Sequence, residues 1–129
     1  SQATFTAHVG FYKATFAREV SFNGASFEGA YFADATFSQK ADFRQTSFAY
    51  VEPSFEALDR RLQRARFSAQ ADPQDYLFEA RSESPHGFSC GEAELLNRTF
   101  VLPLGAVLYD PDSWDEEKQE YTRMSEPAQ

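Results

Sequence analysis

The stretch Ala25-Ser26-Phe27-Glu28-Gly29-Ala30-Tyr31-Phe32-Ala33-Asp34-Ala35-Thr36-Phe37 decides the reading of this chain. Phenylalanine returns every fifth residue, alanine stands two places before each, and a polar residue or tyrosine lies between them. Outward from it the same unit continues in both directions, with phenylalanine at 5, 11, 16, 22, 27, 32, 37, 43 and 48. Two places earlier stand Ala3, Val9, Ala14, Val20, Ala25, Ala30, Ala35, Ala41 and Thr46. A helix would show apolar spacings of three and four, and an ordinary strand would alternate with a period of two. A five-residue step fits a chain that turns a corner at every unit. Residues two apart on an extended segment share a face, so the small residue and the phenylalanine point in together and the residue between them points out.

Some steps are six residues long, and their placement is informative. If one coil holds 21 residues, Phe11 stacks with Phe32, Phe16 with Phe37, Phe22 with Phe43 and Phe27 with Phe48. The long sides Phe16–Phe22 and Phe37–Phe43 then fall at the same corner of successive coils, as a stacked bulge would. The step Phe5–Phe11 breaks that register, which predicts an irregular first coil. A phenylalanine-rich low-complexity segment would hold no such register. A buried phenylalanine contributes roughly 1.5–3 kcal/mol, so nine of them can offset the ordering of so short a segment. An ice-binding ladder of outward hydroxyls is not supported, because only Thr15 and Thr36 would stack as a threonine pair.

These units resemble the pentapeptide-repeat family, whose tandem A-x-[LF]-x-x units form a right-handed quadrilateral β-helix. The departures are the inserted residues and phenylalanine at every centre. The expected fold is mainly β: a short solenoid over 1–50 with Phe5, Phe11, Phe16, Phe22, Phe27, Phe32, Phe37, Phe43 and Phe48 as its core. No cap is visible at the N-terminal end, so either upstream coils are missing or that end packs on something else. The chain starts at Ser1 rather than Met, which suits a processed or excised piece.

Residues 51–82 read as a helical cap. Phe55, Leu58, Leu62, Ala65 and Ala69 form a stripe at steps of three and four, and Pro53 suits a first helical turn. Asp59, Arg60, Arg61, Arg64 and Arg66 would occupy the opposite face. A second short helix is expected from Asp72, a good N-cap followed by Pro73, carrying Leu77 and Phe78 and ending near Ser82. Residues 83–129 read as an irregular, extended acidic tail. It would hold a loop with at most one helical turn over 83–98, two short strands at Phe100–Leu102 and Ala106–Tyr109, an acidic segment around Trp114, and a disordered end over 125–129.

The chain has 129 residues and a net charge of −8, from 20 acidic and 12 basic side chains. Residues 1–50 carry four of each sign, so all of the excess lies in 51–129. That balance argues against a nucleic-acid binder, which needs a basic face. The longest apolar run, Phe100 to Tyr109, is interrupted by Pro103 and Gly105 and is too short for a membrane span.

Catalytic signatures are absent: there is no P-loop, G-x-G-x-x-G, H-E-x-x-H or G-x-S-x-G. His86 and Cys90 stand four apart without a second pair to complete a metal site. His8 falls in the irregular first side and is expected to be exposed. Glu92 and Glu94 with Asp110 and Asp112 have nothing in the sequence to bring them together as a carboxylate pair. Asn97-Arg98-Thr99 is a glycosylation sequon whose meaning depends on secretion. No cofactor, metal or catalytic residue is expected.

The reading that follows is a non-enzymatic structural or protein-interaction module, a subunit or region of a larger assembly, with a protein partner. The candidate partner-binding residues are Tyr31, Arg60, Arg61, Arg64 and Trp114. Tyr31 stands where small polar residues are usual, the arginines would form a docking patch, and a Trp in an acidic stretch suits an anchor. The resemblance implies two alternatives, an acidic DNA mimic acting on gyrase or topoisomerase IV and a peripheral regulatory domain of a membrane protein. The location that fits these readings is cytoplasmic or membrane-peripheral.

Overall fold

The computed structural model describes residues 4–57 and 62–129, with side chains from His8 onward. The chain winds into stacked coils whose sides form parallel ladders. Strands β1 (Thr4–Gly10), β4 (Ser26–Tyr31) and β7 (Ser47–Phe48) make one sheet. Strands β2 (Thr15–Phe16), β5 (Thr36–Phe37), β8 (Arg66–Ser68) and β12 (Val107–Tyr109) make a second. Strands β3 (Val20–Ser21), β6 (Ala41–Asp42) and β9 (Tyr76–Leu77) make a third. A fourth side carries Phe11, Phe32 and Phe55, and a parallel bridge there joins Tyr31 to Ser54.

The 21-residue register is present in the ladders, where Thr15 pairs with Thr36, Val20 with Ala41, and Ser26 with Ser47. The corners obey it too. Lys13 and Asp34 both adopt φ 60°, as do Gly24 at 79° and Gln45 at 60°, and the members of each pair are 21 apart. This left-handed corner costs a side chain conformational energy except in glycine, with Asp and Asn the most tolerant of the others. Interior rings stack in columns: Phe11 on Phe32 at 4.8 Å, Phe16 on Phe37 at 4.8 Å, Phe22 on Phe43 at 5.0 Å and Phe27 on Phe48 at 5.5 Å. Within a coil the rings meet edge to face, as Phe32 meets Phe43 at 89°, so both favoured aromatic geometries are used. The first coil is irregular as expected, with a register shift between Phe5 and His8. The side chain of Phe5 lies outside the described residues.

Beyond Tyr50 the structure corrects the expectation. Among the described residues the C-terminal helices are not there; the solenoid goes on instead. Phe55 stacks on Phe32 at 4.8 Å, Phe67 on Phe37 at 4.5 Å and Phe78 on Phe43 at 5.4 Å. Arg66–Ser68 enters the ladder as β8, and Tyr76–Leu77 enters as β9. The reason is the state of the second coil. Its rings and strand edges would be exposed on top, and a helix could cover the rings but could not pair the backbone of β5 and β6. A further strand does both. The N-cap signals at Asp72 and Pro73 produce only one 3-10 turn, Pro73–Asp75, in which the Asp72 carboxylate accepts from Gln74 N at 2.9 Å. The helix positions Leu58 to Arg61 lie outside the described residues.

The acidic tail is not extended either. Cys90–Leu95 (β10) forms a strand where a loop was expected and pairs as a hairpin with Arg98–Pro103 (β11), which contains the expected strand Phe100–Leu102. Its two-residue turn, Leu96-Asn97, has φ 55° and 61°, the backbone sense that matches strand twist. The strand β12 lies on β8, placing Leu108 beside Phe67 and adding one rung to that column. Trp114–Asp115 (β13) and Glu120–Tyr121 (β14) form a second hairpin. The last residues are tied down rather than loose: Ser125 N donates to Leu108 O, Ala128 N to Ala106 O, and Gln129 exchanges both backbone bonds with Glu92. These segments close the C-terminal end over Phe100, Leu102, Ala106 and Leu108, all with no exposed surface. The first coil is covered less well: Phe11, Phe16 and Phe22 are half-buried, whereas Phe32, Phe37 and Phe43 are fully buried.

Candidate interaction faces

Four aromatic side chains gather on the outer surface of the first two coils. His8 Nδ1 lies 2.8 Å from the Tyr31 hydroxyl, and the two rings stack at 5.8 Å. Tyr12 stacks on Tyr31 at 6.3 Å, and His8 faces Tyr50 at 6.4 Å. Tyr50 is 67% exposed and Tyr12 43%, so the cluster presents ring surface to solvent. Two glycines make it possible. A Cβ on Gly10 would stand 2.3 Å from Tyr12 Cε2, and one on Gly29 would stand 2.5 Å from His8 Nδ1. The rings therefore lie against bare backbone. Tyr31 was visible in the sequence as an atypical outward residue. Tyr12, His8 and Tyr50 were not, because each sits in a corner or an irregular side that the repeat does not assign.

Around the next corner lies the second aromatic group. The Trp114 ring meets Tyr121 edge-on at 4.9 Å, and Tyr121 meets Tyr109 at 4.5 Å. The Tyr109 hydroxyl bonds Ser38 Oγ at 3.1 Å. The hairpin carrying Trp114 is braced by Asp110, whose carboxylate accepts from Asp112 N, Gln70 Nε2 and Arg123 Nη1. The Asp112 backbone amide, with Arg123 and Gln70 beside it, holds this carboxyl below the usual range. Lys13, the chain neighbour of Tyr12, lines a cleft beside Trp114.

Of the arginines expected on the helix face, the two described ones, Arg64 and Arg66, are engaged within the chain. Arg64 Nη1 donates to Gly105 O at 3.1 Å, clasping the third coil to the turn before β12. Arg66 sends two nitrogens to Asp34 Oδ1, each at 2.9 Å, and its side chain is 15% exposed. Arg60 and Arg61 lie outside the described residues.

Among the described residues no three His, Cys, Asp or Glu side chains are placed to hold a metal ion. Burial pushes the Cys90 thiol up, away from a ready thiolate. No described helix is long and apolar enough to cross a membrane. Charge is segregated along the chain: residues 83–129 hold 10 acidic and 3 basic side chains, net −7, while 1–82 hold 10 and 9, net −1.

Residues 1–52 match the family model described as pentapeptide repeats, in 9 copies. No curated protein and no solved structure matches the chain.

Proposed function

Residues 1–52 belong to the pentapeptide-repeat family, and from that premise we propose that the chain is a non-enzymatic protein-interaction module within a larger assembly. The observation that carries this reading is the His8–Tyr12–Tyr31–Tyr50 face. Aromatic side chains supply large contact area at small entropic cost and are enriched at binding hot spots. Here they are held by stacking and by the His8–Tyr31 bond, on backbone locked into parallel ladders, so a partner meets a preformed surface. Preorganisation of that kind lowers the ordering cost of association. Tyr31 stays at the centre of the proposed site. Arg64 is proposed as a clasp within the chain rather than a partner contact, because its guanidinium is already engaged by Gly105.

The distribution of charge favours this reading over nucleic-acid mimicry. The coils are near neutral and the excess negative charge falls on the closing segments, whereas nucleic-acid mimicry would require a rod of phosphate-like charge along the solenoid. The test is affinity capture of the tagged chain from its native extract, soluble and membrane fractions kept apart, beside a Tyr31→Ala, Tyr50→Ala variant. A stoichiometric partner that the variant loses supports the reading. A partner retained equally by the variant, or gyrase inhibition at micromolar concentration, overturns it.

A further inference from the structure

We propose that the Trp114–Tyr121 hairpin and the two clefts on either side of it form a binding site for a neutral oligosaccharide. The site is separate from the tyrosine face and does not depend on the reading given to that face.

The placement comes from the register of the repeat. The six-residue sides Phe16–Phe22 and Phe37–Phe43 bring Glu19 and Lys40 to the same corner of successive coils, one place before the paired strands β3 and β6. In the third coil the corresponding corner ends at Asp75, one place before β9. These surplus residues, with Gln39, Gln70 and Tyr109, bound a cleft of about 700 Å³. A second cleft of about 320 Å³, lined by Lys13, Gln63, Arg66, Trp114 and Gln119, borders the other side of the hairpin. Tyr121 lines both, so one ring forms the saddle between them. Both volumes fall within the range of small-ligand sites.

The lining selects the chemistry. The larger cleft offers hydroxyls from Ser38 and Ser68, carboxamides from Gln39 and Gln70, two carboxylates and one ammonium. Both charge signs occur in each cleft, so neither concentrates the single sign that a phosphate or a polyamine needs. The apolar lining beyond the rings is small, Ala71 and Pro111 on one side and Met124 on the other, which leaves no deep pocket for an apolar peptide anchor. A ligand edged with hydroxyls and carrying C–H faces meets both parts of the surface. Carboxylates accept and carboxamides both donate and accept, as pairs of neighbouring hydroxyls require. The electron-rich ring of Trp114, 43% exposed, suits polarised C–H groups, and Tyr121 holds that ring in place. Among the described residues the side chains of Glu19, Gln39 and Lys40 have no hydrogen-bond partner, so these groups are free to serve a ligand. Gln70, in contrast, is fixed by Asp110 and Asp112 at 3.1 and 2.7 Å and stiffens the rim.

The chain supplies its own reporter, since Trp114 is its one tryptophan. The experiment titrates the full chain with cellotetraose, chitotetraose and maltotetraose in turn and follows indole emission. At least one is expected to give a saturable change. Gln39→Ala and Glu19→Gln, both at exposed positions, are expected to weaken that affinity by up to about tenfold, the effect of one lost hydrogen bond. Their free-state emission should stay unchanged, and Tyr121→Ala should abolish the response. The proposal is overturned if none of the three sugars gives a saturable change. It is equally overturned if both surface variants bind undiminished, or if a proline-rich peptide alone produces the response.

Discussion

The rings of Phe37 and Phe67 lie 4.5 Å apart and 7° from parallel, although the regular register would have placed the partner of Phe37 at residue 58. The solenoid therefore tolerates insertions, two residues before Phe55 and seven between Phe55 and Phe67, without losing the column. Loop-closure entropy grows slowly with length, so nine extra residues cost little against a buried aromatic stack.

Phe37, fully buried and flanked by Phe16 and Phe67, should be the costliest of the core rings to truncate. Phe37→Ala is expected to destabilise by about 3–5 kcal/mol, and Phe16→Ala, at the half-covered first coil, by clearly less. Denaturant unfolding of both variants measures the difference. Equal costs would contradict a third coil seated on Phe37.

Gly10→Ala should leave stability within about 1 kcal/mol while displacing the Tyr12 ring, because a flexible surface side chain is what the new methyl meets. Gly29→Ala faces both His8 Nδ1 at 2.5 Å and Val51 Cγ1 at 2.8 Å and should disturb the face more. Proton chemical shifts of His8, Tyr12 and Tyr31 would show the displacement. Unchanged tyrosine signals in both variants would mean that the glycines do not seat the rings.

Acid should weaken the fold through Asp42 and Asp110. Hydrogen bonds from Arg44 lower the Asp42 carboxyl below its ordinary value of 3.8, and the Asp112 amide does the same for Asp110. A carboxyl lowered on folding contributes stability that is present above the unfolded value and is lost as pH falls through the folded one. Stability should thus hold down to about pH 4 and decline below it. Asp42→Asn should be less stable at neutral pH and show a flatter acid limb, read from unfolding curves taken across pH.

At the alkaline end the sign is reversed. Burial raises the Tyr76 phenol and, with less force, that of Tyr109. The Tyr76 hydroxyl donates to Ser68 O at 2.9 Å, and that donor disappears on ionisation. Stability from these groups is complete below the unfolded value of 10 and drains away as pH climbs from there through the raised folded values. Phenolate absorbance should show Tyr76 ionising only with unfolding. A titration of all six tyrosines as exposed phenols in a folded chain would contradict this.

The sequence carried the first two coils almost completely. Small–polar–Phe units at steps of five and six leave the backbone one way to bury every ring, and the 21-residue recurrence of the six-residue steps set which ring lies on which. Those statements concern neighbours in one period, so local spacing suffices for them. The third coil left a signal as well: Pro53-Ser54-Phe55 and Ala65-Arg66-Phe67 keep the unit, and Phe55, Phe67, Phe78 and Phe88 recur at steps of twelve, eleven and ten. The helical stripe from Phe55 to Ala69 competed with that signal. Only the tertiary structure decided between them, because the deciding term is the unpaired upper edge of β5 and β6, which no local window contains. The same holds for the faces. Tyr31 announced itself by breaking the repeat, but His8 reaches it across coils and Tyr50 reaches His8, and Tyr121 joins Trp114 to Tyr109 only after the chain folds back over the third coil. Spacing along a chain fixes what repeats; what closes an end, and which outward side chains meet there, follows from the surface that the finished coils leave uncovered.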